Sequence, residues 1–336
     1  MLFELPRFKH VDVTDFEEAV FWLDKHGEKA KVVSGGTDLL SLMKDRIAGP
    51  GFRMPEILVN IKPVPEMSMI TCDEKSGLRI GAAVTLGCLA TSDVIINKYR
   101  ILAQAARSVG TTQIRNRGTI GGNLCQRPRC VYFRHPHFPC FKKGGERCYA
   151  AAGEHRFYHS ILENGKCVMA HPSDLAPALV ALKAEAVVIS SKGQRKVSLK
   201  DFFRGPNHAT ETILEPEELL TEIVVPNQSG EIRQVFLKQR IRHSGDFALS
   251  SVSVVARTSG EICEDARIVL GGVAPLPYVA SMAGEIIKGR SLNGQLIADA
   301  AEAALKGSRP LPMNHFKVDL TKALVRDALR SIIEIE

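Results

Sequence analysis

The feature that most limits how this chain can fold is the cysteine segment, residues 125–167, which holds five of the eight cysteines. It is rich in Arg, Pro, His and Gly, and its apolar residues follow neither the helical nor the strand period. We therefore expect it to interrupt the regular structure. Disulfides are rare in the cytosol, where this chain is expected, so metal ligands or buried thiols are favoured over disulfides.

Length and charge favour a globular protein of more than one packed unit over a membrane-spanning, secreted or nucleic-acid-binding protein. At 336 residues the chain is too long for one small core. No apolar run approaches the length of a membrane span. Charges and Pro6 interrupt the N-terminal stretch, so it does not resemble a secretory signal and a cytoplasmic location is expected; export bound to a partner subunit is compatible with the same sequence. The net charge of +7 is dispersed and aromatic residues are 6%, so nucleic acid is not an expected partner.

Local patterns predict helices and strands on both sides of the cysteine segment. Thr14 and Glu17 have the spacing of a capping box for a first helix. The stretch "LRIGAAVTLGCLA" is interpreted as strands with turns, and "QIRNRGTIGGNLC" as a turn after a polar strand. Three strands and then two helices, near Gln295–Leu305 and Asp319–Ile333, are predicted after a linker at 227–232. Strands followed by helices indicate an α+β fold.

Two adjacent-glycine stretches are candidate ligand-binding loops. The first glycine loop, 32–39, follows a short strand and leads into a helix; the second glycine loop, 119–123, lies just before the cysteine segment. Paired glycines allow close approach to a ligand, their amides can form an anion nest, and a helix N-terminus favours phosphate. Structural tight turns are the alternative for both loops. Asp174 is a candidate for binding a ribose or ribityl hydroxyl, or else an acid in the first turn of a helix.

The motifs "VVSGGTDLL", "QIRNRGTIGGNLC", "SDLAPALVAL" and "GGVAPLP" occur in an order that resembles the FAD-binding medium subunits of the molybdenum hydroxylases. The resemblance covers essentially the whole chain. It implies a vanillyl-alcohol-oxidase-type FAD fold at 1–226, in subdomains of about 1–58 and 59–226. A carbon-monoxide-dehydrogenase-flavoprotein-like domain is implied at 227–336.

The same resemblance implies which residues contact FAD. In the first glycine loop they are Val32, Val33, Ser34, Gly35, Gly36, Thr37, Asp38 and Leu39, around the pyrophosphate. In the second they are Thr119, Ile120, Gly121, Gly122 and Asn123. Asp174 is implied at the sugar portion, and Leu220 and Lys238 near the flavin. The alternatives are a core strand residue for Leu220 and a solvated strand charge for Lys238.

The resemblance also implies a role for the cysteine segment, because one branch of the family carries a [4Fe–4S] cluster on an insertion at about 125–167. The matching ligands are Cys130, Cys140, Cys148 and Cys167. Their spacing alone leaves zinc, an iron–sulfur cluster and free thiols open, since neither paired CxxC knuckles nor a CxxCxxC run is present. Cys125 is then expected to be a buried thiol beside the second glycine loop. Cys72, Cys88 and Cys263 are expected in the core.

Other residues of the cysteine segment receive weaker expectations. His135, His137, His155 and His159 are interpreted as solvated loop residues. The basic residues are expected to raise the cluster's potential or to dock an acidic ferredoxin; they are Arg127, Arg129, Arg134, Lys142, Lys143 and Arg147.

The resemblance implies an electron-transfer subunit without catalytic residues of its own. Its partners would be a large molybdopterin-binding subunit and a small subunit with two [2Fe–2S] clusters, in a heterotrimer or a dimer of heterotrimers. Electrons would pass between those clusters, FAD, a [4Fe–4S] cluster and an external acceptor or donor. An FAD subunit whose cysteines hold a structural zinc is the alternative.

Overall fold

Three β-sheets follow one another along the chain in the computed structural model, which describes residues 4–334. The strands are β1 Lys9–Asp12, β2 Ala30–Val33, β3 Ile57–Asn60, β4 Ile70–Asp73, β5 Gly77–Gly81, β6 Glu185–Ser190, β7 Gly193–Ser198, β8 Leu219–Val225, β9 Glu231–Gln239, β10 Ser250–Ser259, β11 Ile262–Gly271, β12 Tyr278–Val279 and β13 Arg290–Ser291. The helices are α1 Phe16–His26, α2 Leu39–Lys44, α3 Leu86–Thr91, α4 Asp93–Lys98, α5 Arg100–Ser108, α6 Thr112–Arg115, α7 Ile120–Leu124, α8 Leu175–Ala181, α9 Leu199–Phe202, α10 Ser281–Ile287, α11 Gly294–Ala304 and α12 Phe316–Glu334.

The sheets differ in strand direction. The first is parallel with order β1-β3-β2, the second is antiparallel with order β4-β5-β8-β6-β7, and the third is antiparallel with order β12-β11-β10-β9, β13 pairing with β11. One continuous apolar core joins the first two sheets to α5 and α8, and a second core lies between the third sheet and helices α10 to α12. This confirms the predicted α+β class.

The third sheet is covered on both faces, which explains its sequence. In β10, Val252 and Val254 belong to the core shared with α12, whereas Val255 belongs to the core shared with α5 and α8. Because both faces are buried, the strand lacks the alternation of a half-exposed strand. The register places Ser251 of β10 opposite Lys238 of β9. The backbone of Lys238 therefore lies in a part of the sheet that is covered on both faces.

Several local predictions are wrong in detail. Helix α1 is capped by Asp15, whose carboxylate accepts a hydrogen bond from the Glu18 amide at 2.7 Å, rather than by Thr14 with Glu17. The stretch "TLGCLA" forms α3, and Cys88 on it is exposed instead of lying in the core. Cys72 is half-buried, whereas Cys263 is buried as expected.

The second glycine loop is part of a short helix. "QIRNRGTIGGNL" forms α6 and α7 instead of a polar strand and a turn. Thr119 caps α7, since its side chain accepts from the Gly122 amide at 3.3 Å. The cap initiates a helix at a sequence whose glycines do not favour one.

The cysteine segment lacks strands and α-helices, as predicted, and contains only the short 3₁₀ turns Phe141–Lys143 and Tyr149–Ala151. It nevertheless has a small apolar core of its own, in which Phe133 and Ala150 pack with Leu42 of α2. Gly144 has φ +84 and lies against Gly51, where a Cβ would overlap the Gly51 backbone. The segment is therefore held firmly against the loop that follows α2.

The helices of residues 4–334 are all too short or too polar to cross a lipid bilayer.

Candidate functional site

The two glycine loops lie against each other. A Cβ on Gly35 would overlap the carbonyl oxygen of Arg117, just before the second loop, and a Cβ on Gly118 would lie 3.4 Å from Thr37 Oγ1. Two stretches far apart in the sequence thus form one backbone surface. A ligand bound at one loop would therefore lie beside the other.

The first glycine loop has free backbone donors. Among the described residues, no carbonyl or side chain accepts a hydrogen bond from the amides of residues 35–39. Ser34 Oγ is also buried without a partner, and Gly36 has φ +71, a conformation that favours glycine. Unpaired buried polar groups require a ligand or water. The loop therefore fits a polyanionic group such as a pyrophosphate, with little help from α2, which has only six residues.

The second glycine loop is different, and its expected anion nest is wrong. The amides of Ile120 and Gly121 donate to the carbonyls of Val84 and Ala82, both at 2.9 Å. Asn123 donates to the Thr119 carbonyl at 2.8 Å. With its amides satisfied within the protein, this loop can offer a ligand its side chains and its closely packed surface.

Asp174 and Lys238 form a buried ion pair, with 2.5 Å between Oδ2 and Nζ and side chains 5% and 4% exposed. Lys238 also donates to the Ser108 carbonyl at 3.1 Å. Burial raises the pKa of Asp174, and the Lys238 charge opposes that rise. The reading of Lys238 as a solvated strand charge is therefore wrong.

The segment before α8 connects these groups to the second glycine loop. Ser173 Oγ donates to Asn123 Oδ1 at 2.6 Å, and the Ser173 amide contacts His171 Nδ1 at 3.4 Å. His171 is buried and its Nε2 has no partner among the described residues; burial, with the charge of Lys142, lowers its pKa to about 3. The imidazole is thus neutral at ordinary pH.

Leu220 is buried in β8, opposite Val188 of β6, within the main core. Its neighbour Thr221 accepts a hydrogen bond from the Ala82 amide at 2.8 Å, and the Ala82 carbonyl accepts from Gly121. Leu220 is therefore one strand position away from the backbone that supports the second glycine loop. A contact of Leu220 with flavin stays a prediction.

Four thiols line one small pocket in the cysteine segment: Cys130, Cys140, Cys148 and Cys167. A hydrogen bond from Cys167 lowers the pKa of Cys148 to about 6, and that bond together with burial raises the pKa of Cys167 well above its usual range. Burial raises the pKa of Cys130 to about 11, with contributions from the neighbouring thiols. Four soft donors in one pocket fit a thiolate-bound metal centre.

No group of three or more His, Cys, Asp or Glu side chains within residues 4–334 is arranged to hold a single metal ion. Cys125 lies outside the pocket, at the end of α7, where burial raises its pKa to about 12. Cys125 is half-buried rather than fully buried, and its role as a bystander stays a prediction.

The basic residues around the pocket are not free to dock a ferredoxin, so that expectation is wrong for most of them. Lys142 is buried and pairs with Glu211 at 3.2 Å, and Arg127 pairs with the same carboxylate at 2.7 Å. Lys143 is fully buried and donates to the His135 carbonyl at 2.6 Å. Arg147 is the exposed member of the set, stacked on Tyr149.

Asp38 connects the first glycine loop to the cysteine segment. Its carboxylate accepts from Arg134 at 2.6 Å and from the Arg127 amide at 2.8 Å, and it pairs with Arg129 at 2.8 Å. Sequence reasoning missed this cluster, although the run of arginines after "GGNLC" was a visible signal. One side chain, Asp38, therefore joins the first glycine loop to the cysteine segment by hydrogen bonds and ion pairs.

Two of the four loop histidines are buried, contrary to expectation, whereas His135 and His137 are exposed. His155 contacts the Ala150 carbonyl through Nδ1 at 2.9 Å and accepts from the Met313 amide at 3.1 Å. His159 Nε2 lies 3.3 Å from Cys130 Sγ. Burial, together with the Lys317 and His155 charges, lowers the pKa of His159 to about 4. No spacing rule in the sequence signals the contact of His159 with Cys130.

An α+β framework with free loop amides and a thiol pocket beside them defines a nucleotide-cofactor redox protein. Comparison with known proteins makes this specific. Residues 6–228 match the model of the FAD binding domain in molybdopterin dehydrogenase, and residues 235–332 match the CO dehydrogenase flavoprotein C-terminal domain. The chain belongs to the FAD-binding medium subunits of the molybdenum hydroxylase family, and it is an FAD-binding subunit of an oxidoreductase.

Individual relatives agree with the family assignment. The chain is 33% identical over 304 residues to the aldehyde oxidoreductase FAD-binding subunit PaoB of Escherichia coli (strain K12), covering 89% of this chain and 90% of that one. It is 29% identical over 306 residues to the carbon monoxide dehydrogenase medium chain of Hydrogenophaga pseudoflava, covering 91% and 88%. A solved structure of carbon monoxide dehydrogenase from Hydrogenophaga pseudoflava superposes with a TM-score of 0.77 at 27% identity, covering 98% of each chain.

Proposed function

We propose that this chain is the electron-transfer subunit of a multi-subunit molybdenum hydroxylase or reductase. It would exchange electrons between [2Fe–2S] clusters of a partner subunit, FAD, its own [4Fe–4S] cluster and an external acceptor or donor. The observation that carries the proposal is the thiol pocket itself, since all four cysteines proposed as ligands line one cavity. The resemblance of the cysteine segment to the cluster-bearing branch of the family supports the same reading.

The residues assigned to FAD act by binding and placement. The free amides of residues 35–39 would bind the pyrophosphate, with Ser34 Oγ as a further donor. The packed second glycine loop would fix the position of the nucleotide, and the Asp174–Lys238 pair would offer polar groups near the sugar and flavin. FAD supplies two-electron and one-electron exchange when bound, and the iron–sulfur cluster supplies one-electron exchange.

The four cysteines would hold the cluster, one thiolate per iron. Binding would require loss of the thiol protons, and burial raises the pKa of Cys130 and of Cys140. The surrounding apolar side chains, among them Phe133 and Tyr149, would limit access of water. A structural zinc uses the same donors and is the competing assignment.

The remaining parts of the proposal concern other chains. A large molybdopterin-binding subunit would carry out substrate chemistry, and a small subunit with two [2Fe–2S] clusters would connect it to FAD, in a heterotrimer or a dimer of heterotrimers. The substrate is then decided outside this chain. Within this chain, we propose on the basis of the family resemblance that the domain boundaries lie at about residues 58 and 226.

Metal analysis of the full chain purified without oxygen tests the cluster. We expect about four iron and four sulfide ions per chain, together with bound FAD. Cys148→Ser should lose most of the iron, whereas the matched control Cys125→Ser should keep it. A result of one zinc ion per chain without sulfide would contradict the cluster and support a structural zinc site, and the FAD assignment would be unaffected. Full iron in Cys148→Ser would contradict the ligand set.

Co-purification tests the assembly. Tagged chain expressed with its neighbouring genes should bring down a large molybdopterin protein and a small iron–sulfur protein in equal amounts. Recovery of the loaded chain alone, under conditions that preserve weak complexes, would contradict the proposed partners.

A further inference from the structure

His159 makes the closest polar side-chain contact to a thiol of the pocket. Its Nε2 lies 3.3 Å from Cys130 Sγ, within hydrogen-bonding distance for sulfur. Both side chains are buried, with exposures of 3% for His159 and 8% for Cys130. Water therefore does not compete for this contact.

The position of the proton on His159 follows from its surroundings. Nδ1 is buried and has no partner within residues 4–334. A proton on Nδ1 would leave a buried N–H without an acceptor, which is more costly than an unpaired acceptor nitrogen. A metal-bound cysteine sulfur has lone pairs and no proton, so it can accept a hydrogen bond but cannot donate one. The arrangement in which Nε2–H donates to Cys130 Sγ satisfies both groups.

The backbone at His159 is held by contacts on both sides. His159 and Met169 form an isolated antiparallel β-bridge, and the Ser160 amide donates to the Val168 carbonyl at 2.9 Å. The backbone at residues 159–160 is therefore paired with the backbone that follows Cys167. Lys317 of α12 donates to the His159 carbonyl at 2.8 Å and to the Gly272 carbonyl at 2.6 Å. The backbone that carries the imidazole is thus fixed beside the segment that follows Cys167.

We propose that His159 is a positioning residue that tunes the cluster, donating a hydrogen bond from Nε2 to Cys130 Sγ and thereby raising the reduction potential. The inference rests on the proposed function, since it requires the cluster on these cysteines. A hydrogen bond to a ligating sulfur stabilises the reduced cluster more than the oxidised one, because the reduced cluster carries more negative charge.

Redox titration of the full chain, followed by electron paramagnetic resonance, tests the proposal. His159→Leu removes the donor, and we expect its cluster to be about tenfold harder to reduce, a shift of about 59 mV to lower potential for one electron. His159→Gln keeps a donor near the same place and should stay close to the wild type. His155→Leu is the matched control, because His155 is a buried imidazole of the same segment that contacts a carbonyl and an amide instead of a thiol.

A second measurement uses the wild-type chain, so it does not depend on whether a variant retains its cluster. In full chain labelled with ¹⁵N-histidine, pulsed electron paramagnetic resonance of the reduced cluster should detect coupling to one imidazole nitrogen. Absence of that coupling, or an unchanged potential in iron-loaded His159→Leu, overturns the inference while the cluster stands. Zinc without sulfide in the wild type overturns the cluster and the inference together.

Discussion

Lys238 of β9 and Asp174 at the start of α8 form a buried ion pair, with 2.5 Å between Nζ and Oδ2. The two residues are 64 positions apart. The pair joins the third sheet to the segment that follows the cysteines. It therefore serves stability as well as the proposed flavin site.

Lys238→Met should destabilise the protein strongly. It leaves the Asp174 carboxylate buried without a counter-charge, and loss of one partner of such a pair costs about 3–5 kcal/mol of unfolding free energy. Urea denaturation of the flavin-free chain measures this. Arg195→Met is the control, because the Arg195–Glu218 pair is partly exposed and exposed pairs contribute at most about 1 kcal/mol. Equal losses in the two variants would contradict the prediction.

Gly35→Ala should weaken FAD binding at least tenfold. The added Cβ would overlap the carbonyl oxygen of Arg117 and force the two glycine loops apart. Overpacking of this kind costs about 1–3 kcal/mol, and part of that cost falls on the loop that holds the nucleotide. Titration of the flavin-free chain with FAD measures the affinity. Gly294→Ala, at the open start of α11, should change neither affinity nor stability appreciably; wild-type affinity in Gly35→Ala would refute the close-contact argument.

Asp38→Asn should reduce the content of FAD and of metal together. The neutral amide no longer balances Arg129 and Arg134, which then lie partly buried without a counter-ion, at a cost of about 2 kcal/mol or more. Flavin absorbance and metal analysis of the same preparation report both effects. Asp45→Asn, an exposed acid at the end of α2, is the control. Loss of one cofactor with full retention of the other would show that the two sites are not coupled through Asp38.

His171→Phe should reduce the sensitivity of the fold to acid. The folded-state pKa of about 3 lies below the ordinary value of 6.5, so the unfolded chain binds more protons between these limits. This contribution is fully present above pH 6.5 and is lost as the pH falls toward 3. From pH 7.5 to pH 5 the wild type should lose about 2 kcal/mol through this group. Denaturation at the two pH values should show a correspondingly smaller loss in the variant; an identical pH dependence would exclude His171 as the cause.

Elements with strong local patterns were predicted from the sequence. Strands β8 to β11 and helices α11 and α12 have long apolar patterns that their tertiary surroundings reinforce. Helices α3 and α7 were missed because each is short and depends on one threonine cap, Thr85 or Thr119. The glycines of α7 argue against a helix until the packing against Ala82 is known.

The residues of the candidate site also fall into two groups, those that the sequence predicts and those that only the structure reveals. The two glycine loops could be selected because each is a contiguous motif, whereas the four pocket cysteines were selected through the resemblance, since their spacing alone left the kind of site open. The burial of Lys142 and the contact of His159 with Cys130 could not be predicted, since each depends on a partner distant in sequence. A charged or titratable side chain in a loop is solvated by default, and only tertiary structure reverses that expectation.

The contacts of Lys317 can form only late in the synthesis of the chain. Lys317 follows His159, whose carbonyl it holds, by 158 positions, so the ribosome must complete nearly half of the chain after His159 before the contact forms. Until α12 emerges, the segment beside Cys130 lacks this anchor. The fold around His159 is therefore completed only once α12 has been synthesised, and a chain truncated before Lys317 would lack the contact that anchors the segment beside Cys130.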